Sequence, residues 1–229
     1  MLLNPYRHVI FPHENHTRIQ DKNCPAIFLD RDGVIIKEKH YLSSPDQVEL
    51  AYYAKEFISF FKNNGWLVIV VTNQSGISRG YFDWNQYEAV TTRMLQKLDN
   101  ECCPDAIYAN SGLDHKSELW RKPQPGMILQ AAADFALDDL STSVLIGDKL
   151  SDLIAGYRAG LKNNILLKTG HGFKESANIL ESFKEISNSN FTPLKNKTNE
   201  LIHLKYTLQI YDDLKACFDN RHLYNNISK

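Results

Sequence analysis

No run of residues in this chain is both long and apolar enough to cross a bilayer, and its first sixteen residues, MLLNPYRHVIFPHENH, interrupt their apolar side chains with Asn4, Pro5, Arg7 and His8. A secretory leader needs a continuous apolar centre, so neither a leader nor a membrane anchor is expected and the protein reads as cytoplasmic. Excess charge is missing too. With 26 basic and 27 acidic residues the net charge is -1, which gives no ground for a nucleic-acid or membrane partner, so any charged ligand must be met by local groups. Cysteine is scarce: Cys24, Cys102, Cys103 and Cys217 comprise one adjacent pair and two distant residues, neither a disulfide framework nor a zinc spacing, so reduced thiols are expected. His13, His16 and Cys24 match no common ligand spacing either. The chain also lacks both G-x-x-x-x-G-K-[ST] and G-x-G-x-x-G, the local signals of nucleoside triphosphate and dinucleotide sites.

What is present is a rhythm. Five β-rich runs recur, AIFLD from Ala26, WLVIVVT from Trp66, AIYA from Ala106, SVLIGD from Ser143 and NILLK from Asn164, with helical stretches between them. AKEFISFFKNN closes on Gly65, a natural C-cap, and WNQYEAVTTRMLQKLDN carries apolar residues at helical spacing. Strands alternating with helices predict an α/β fold, a central parallel sheet covered on both faces in a three-layer sandwich. Residues 1–25 fall outside the rhythm as an N-terminal arm, residues 26–170 form the body, and 171–229 read as a helical extension with an amphipathic helix around NELIHLKYTLQIYDDLKACF.

Polar clusters fall at the carboxyl ends of these runs, where ligands bind in open α/β sheets. Asp30 and Asp32 end the first, TNQSG from Thr72 the second and GDKLSD from Gly147 the fourth, while Lys122 lies in WRKPQPG before the helix leading to the fourth. Taken singly, each cluster also reads as ordinary turn or cap chemistry. Taken together, Asp30, Asp32, Asp148 and Asp152 crowd one crevice, a costly concentration of charge unless a hard divalent cation such as Mg²⁺ sits among them. Thr72, the backbone N–H groups after it and Lys122 suit phosphate oxygens, so the expected substrate is a small phosphate ester. Strand alternation predicts Asp30 and Asp32 on one side with Arg31 facing away. One carboxylate can then attack phosphorus while the other handles protons, roles assigned to Asp30 and Asp32 respectively.

In order and spacing, FLDRDGVI, VVTNQSG, RKPQPGM and IGDKLSD resemble the four motifs of haloacid dehalogenase (HAD) phosphohydrolases, and their fuller wording is similar to the subgroup holding D-glycero-D-manno-heptose 1,7-bisphosphate phosphatases and histidinol-phosphate phosphatases. The resemblance runs from about Pro25 to Gly170. It implies a HAD-like Rossmannoid domain, with Asp30 as nucleophile and Asp32 as general acid/base. Mg²⁺ would be held by Asp30, the Asp32 carbonyl and Asp148, and Asp152 would orient the metal surroundings or Lys122. Thr72 and Asn73 would bind the transferring phosphoryl group, Lys122 would neutralise it, and Arg79 and Arg121 would contact the rest of the substrate. No large insertion follows Asp32, so the cap is minimal and the site open, with heptose 1,7-bisphosphate the first substrate and histidinol phosphate, other sugar phosphates or a polynucleotide phosphate end as alternatives.

One departure bears on a second metal. Members of this subgroup commonly carry a Cys-x-His and Cys-x-Cys zinc loop before the RKP motif, whereas YANSGLDHKSELWRKP offers His115 and no cysteine, so no structural zinc is expected. Leu113, Leu119 and Trp120 are expected to anchor that loop by packing, and His115 and His171 to flank the mouth of the site. A phospho-accepting receiver module is the reading from a different class, but it draws its acidic pair and its acceptor from separate strands. A monomer is the expected state.

Overall fold

A computed structural model describes residues 4–12, 24–114, 118–188, 201, 204 and 207–220. The five β-rich runs form five parallel strands: β2 (Ala26–Leu29), β3 (Leu67–Asn73), β4 (Ala106–Asn110), β5 (Val144–Gly147) and β6 (Asn163–Leu167). Every residue of β2 and β5 is buried, which is why these runs are continuously apolar rather than alternating. Pleating sends Ile27 and Leu29 into a core under α1 (Ala54–Asn63) and α3 (Trp84–Leu98), with the short α2 (Ser75–Ser78) between β3 and α3. Ala26 and Phe28 enter a second core with α4 (Gly126–Asp134), α5 (Leu150–Arg158) and α6 (Gly172–Asn188). The helix ends follow local chemistry. Gly65, at φ +75°, terminates α1 with its N–H donating to the Lys62 carbonyl, and Asp83 with Gln86 makes a reciprocal capping box at the start of α3.

Two more strands widen the sheet to seven, in the order β1-β4-β3-β2-β5-β6-β7. In the N-terminal arm, β1 (Arg7–Ile10) pairs antiparallel with β4, and in the C-terminal extension β7 (Leu208–Tyr211) pairs parallel with β6. The expected helix around residues 199–218 is therefore corrected in its second half: LQIY is a strand and α7 (Leu214–Asp219) starts afresh on the Asp213 cap. Its helical periodicity lost to the unpaired edge of β6, which offers backbone partners. All four cysteines are buried and none is in a disulfide, and no described helix is long and apolar enough to cross a membrane.

Strand order reverses at β2. The chain runs from β2 through β3 to β4 on one side, then returns to β5 and β6 on the other. The crevice beyond the carboxyl ends of β2 and β5 is thus the topological switch point where such sheets bind ligands. Between β2 and α1 the chain forms only a short 3₁₀ turn at Pro45–Gln47 and isolated bridges joining Ile36 to Asp32 and Leu50, so this connection carries no large insertion over the crevice.

Candidate active site

Asp30, just past the end of β2, and Asp152, in the first turn of α5, face each other across Lys122. The ammonium Nζ lies 3.1 Å from Asp30 Oδ1 and 2.6 Å from Asp152 Oδ1, and donates to the Val71 carbonyl at 2.8 Å. All three side chains are buried. A buried ammonium survives only when its charge is matched; burial works against it here, but Asp152 and Asp30 raise the Lys122 pKa above its ordinary value. Its backbone is held separately: Asn73 Oδ1 accepts from Lys122 N–H at 3.1 Å, and Asn73 Nδ2 donates to the Lys122 carbonyl at 3.0 Å.

Asp148, at the end of β5, completes the cluster. Asp30, Asp148 and Asp152 each present an oxygen within 4.8 Å of the others. Asp148 Oδ2 accepts the His171 backbone N–H at 2.8 Å, whereas buried Oδ1 has no hydrogen-bond partner and only Lys149 Nζ at 3.5 Å. Burial first, then the neighbouring Asp30, push the Asp148 carboxyl up to about 8. Asp30 moves the other way, because Lys122 and Lys149 outweigh the effect of its burial. The approach is tight: Gly33, at φ +86°, passes so close that a Cβ there would stand 2.5 Å from Asp148 Oδ2.

Asp32 corrects the alternation argument. The strand ends at Leu29, and in the turn that follows the Arg31 guanidinium folds back onto its neighbour, with Nη2 2.9 Å and Nε 3.1 Å from Asp32 Oδ2. Arg31 is 1% exposed, lies 5.1 Å from the Tyr87 ring and donates to Gln74 Oε1 at 3.1 Å. Gln74 Nε2 in turn donates to Asp32 Oδ2 and to Thr72 Oγ1, both at 2.9 Å. Arg31 and Gln74 were not among the expected site residues. The only sequence signals were a basic residue inside D-x-D and an amide in TNQSG.

Asp30, Arg31, Asp32, Asn73, Gln74, Lys122 and Asp152 line a cavity of about 200 Å³ that also meets Glu38, Tyr41, Phe82 and His171. Tyr41, at φ +60°, stacks edge-on against Tyr81 at 4.5 Å near the opening. Arg121 Nη1 donates to the Gly112 carbonyl at 2.8 Å, and burial together with the like charge of nearby Arg79 lowers its pKa. Neither arginine has a carboxylate partner among the described residues. The loop before Lys122 is anchored differently from expectation, since Leu113 and Leu119 are 48% and 60% exposed and only Trp120 packs, against Tyr108. His13, His16 and His115 lie outside the described residues.

Residues 119–185 match the HAD-hydrolase-like family model. The chain is 38% identical over 173 residues to the D-glycero-beta-D-manno-heptose-1,7-bisphosphate 7-phosphatase of Pasteurella multocida (strain Pm70), covering 70% of this chain and 94% of that protein. It is 40% identical over 161 residues to the enzyme of the same name from Mesorhizobium japonicum, covering 66% and 72%. Among solved structures, the D,D-heptose 1,7-bisphosphate phosphatase of B. bronchiseptica, complexed with magnesium and phosphate, superposes with a TM-score of 0.67 at 27% identity over 85% of this chain and 96% of that one. With acidic groups gathered beyond β2 and β5 around one buried lysine, and with relatives matched over most of their length, the chain belongs to the heptose 1,7-bisphosphate phosphatase family of HAD-like phosphatases.

Proposed function

We propose that this chain hydrolyses a phosphomonoester through an aspartyl-phosphate on Asp30, with D-glycero-D-manno-heptose 1,7-bisphosphate as substrate and the 7-phosphate as the group removed. The observation that carries the reading is Lys122, a buried ammonium held 3.1 Å from Asp30 and 2.6 Å from Asp152. Asp30 Oδ attacks phosphorus, and the ester oxygen leaves with a proton from Asp32. Asp32 then takes a proton from water as it attacks the aspartyl-phosphate and releases phosphate. The Arg31 and Gln74 hydrogen bonds hold the Asp32 carboxylate in place. Thr72, Asn73 and Lys122 receive the transferring phosphoryl group, and Asp152 keeps Lys122 aimed. Arg79 and Arg121, without a carboxylate partner among the described residues, receive the second phosphate.

The residues fit a magnesium ion. Asp148 Oδ1 is a buried carboxyl oxygen without a hydrogen bond among the described residues, and the Asp30–Asp148–Asp152 group offers only carboxylate oxygens, although His171 with Glu38 also approaches Asp148. Asp30, Asp148 and the Asp32 carbonyl would hold it, and the ion would supply positive charge to the phosphoryl oxygens. Zinc is not part of this reading, because the loop before Arg121 has no cysteine. Residues 26–170 form the catalytic body, acting as a cytoplasmic monomer without a nucleic-acid or membrane partner.

Asp30→Asn should lower turnover more than a thousandfold with the fold intact. A smaller loss refutes the nucleophile assignment. A substrate series scored by kcat/KM tests the ester, and a tenfold preference for histidinol phosphate would overturn the heptose. A receiver module would release no phosphate catalytically.

A further inference from the structure

Arg121 and Lys122 are adjacent in sequence but fastened to different parts of the protein. Lys122 is held from beneath by Asn73, Val71, Asp30 and Asp152. Arg121 sits on a loop whose fastening runs outward to the N-terminal arm. Glu118, 6% exposed, is the centre of that fastening. Its Oε1 accepts from Arg7 Nε at 3.0 Å and the Trp120 backbone N–H at 3.0 Å and forms an ion pair with Arg7 Nη2 at 2.9 Å, and its Oε2 accepts from Asn4 Nδ2 at 3.2 Å. Arg121 N–H donates to the Glu118 carbonyl at 3.1 Å, and the Arg7 guanidinium also covers the Trp120 ring at 5.0 Å. Around this pair the arm is registered on the body by β1 with β4 and by Ser111 N–H donating to the Tyr6 carbonyl.

We infer that the Arg7–Glu118 pair is a clamp through which the N-terminal arm positions Arg121 for the non-reacting end of the substrate. Three hydrogen bonds and an ion pair converge on one buried carboxylate, and such a group without its cation is strongly destabilising where it stands. Loss of Arg7 therefore frees Glu118 to turn toward water, taking the Trp120 N–H contact and the Arg121 backbone with it. Lys122 does not follow, because none of its contacts passes through Glu118. The clamp thus governs recognition of the second anionic group and not the chemical step. Both residues are positioning residues.

The inference rests on the proposed contact between Arg121 and the second phosphate, and the test separates the two. Glu118→Gln, nearly isosteric, and Arg7→Met are assayed with D-glycero-D-manno-heptose 1,7-bisphosphate and with p-nitrophenyl phosphate, which has no second phosphate, while circular dichroism checks folding. Expected is a rise of about tenfold in KM for the bisphosphate with kcat within about twofold, and p-nitrophenyl phosphate hydrolysis within about twofold. Arg7→Lys should recover most of the loss. In an Arg121→Gln background, Glu118→Gln should add nothing further. If Arg121→Gln raises KM but Glu118→Gln does not, the clamp is refuted and the Arg121 contact stands. If Arg121→Gln leaves KM unchanged, the contact itself fails and takes the clamp with it. Equal losses on both substrates would show a general structural role and overturn the inference.

Discussion

Asp148 is a group whose ionisation opposes folding when no cation is bound, which makes Asp148→Asn a perturbation with a counterintuitive sign. Burial and Asp30 raise its pKa from the ordinary 3.8 to about 8. A carboxyl raised on folding costs nothing below its unfolded pKa, costs progressively more as pH climbs between the two values, and levels off above the folded one. The interval spans about four pH units, and at about 1.4 kcal/mol per unit the ceiling is about 6 kcal/mol at pH 8. Asp30 and Asp152 share the repulsion and remain in the variant, so about half, about 3 kcal/mol, should return on substitution. For a chain of this size that is a rise in Tm of about 6 to 12 °C. The assay is thermal unfolding in a chelator from pH 5 to 9. Wild type should lose stability steadily between pH 5 and 8 while Asp148→Asn stays flatter, and the two should converge near pH 4. Added magnesium should stabilise the wild type by about 2.7 kcal/mol at a hundred times its Kd, raising its Tm, and leave the inactive variant almost unmoved. A variant no more stable than wild type at pH 8 in chelator would refute the claim that repulsion around Asp148 is stored in the fold.

Two further outcomes concern the loop before Lys122. Trp120→Ala removes the one packed anchor among Leu113, Leu119 and Trp120 and should cost about 3 kcal/mol and lower kcat/KM, whereas Leu119→Ala, at an exposed position, should change the unfolding midpoint by less than about 0.5 kcal/mol; matching effects would show that the loop is not held through the indole. The protein should purify without stoichiometric zinc and regain full activity when magnesium follows chelator treatment, and one tightly held zinc per chain by elemental analysis would contradict this.

The amino-acid sequence by itself determined the five parallel strands, their helices and the ends at which chemistry collects. These depend on local quantities, since a run such as IVVTN is a buried strand because its own residues are apolar and β-branched, and Asp30, Asp32, Lys122 and Asp148 carry their chemistry with their residue type. Asp30 and Asp148 met because parallel strands beside a switch point must bring their carboxyl ends together. What only the tertiary structure decided depends on partners far away in the chain or on geometry beyond the last strand residue. Arg31 turns back on Asp32 because β2 ends at Leu29 and alternation no longer applies. LQIY becomes a strand because β6 leaves an edge to fill. Arg7 and Glu118, 111 residues apart, have no mutual signal in either local stretch, and their pairing exists because β1 lies beside β4 and carries the guanidinium to a carboxylate that burial leaves in need of a cation.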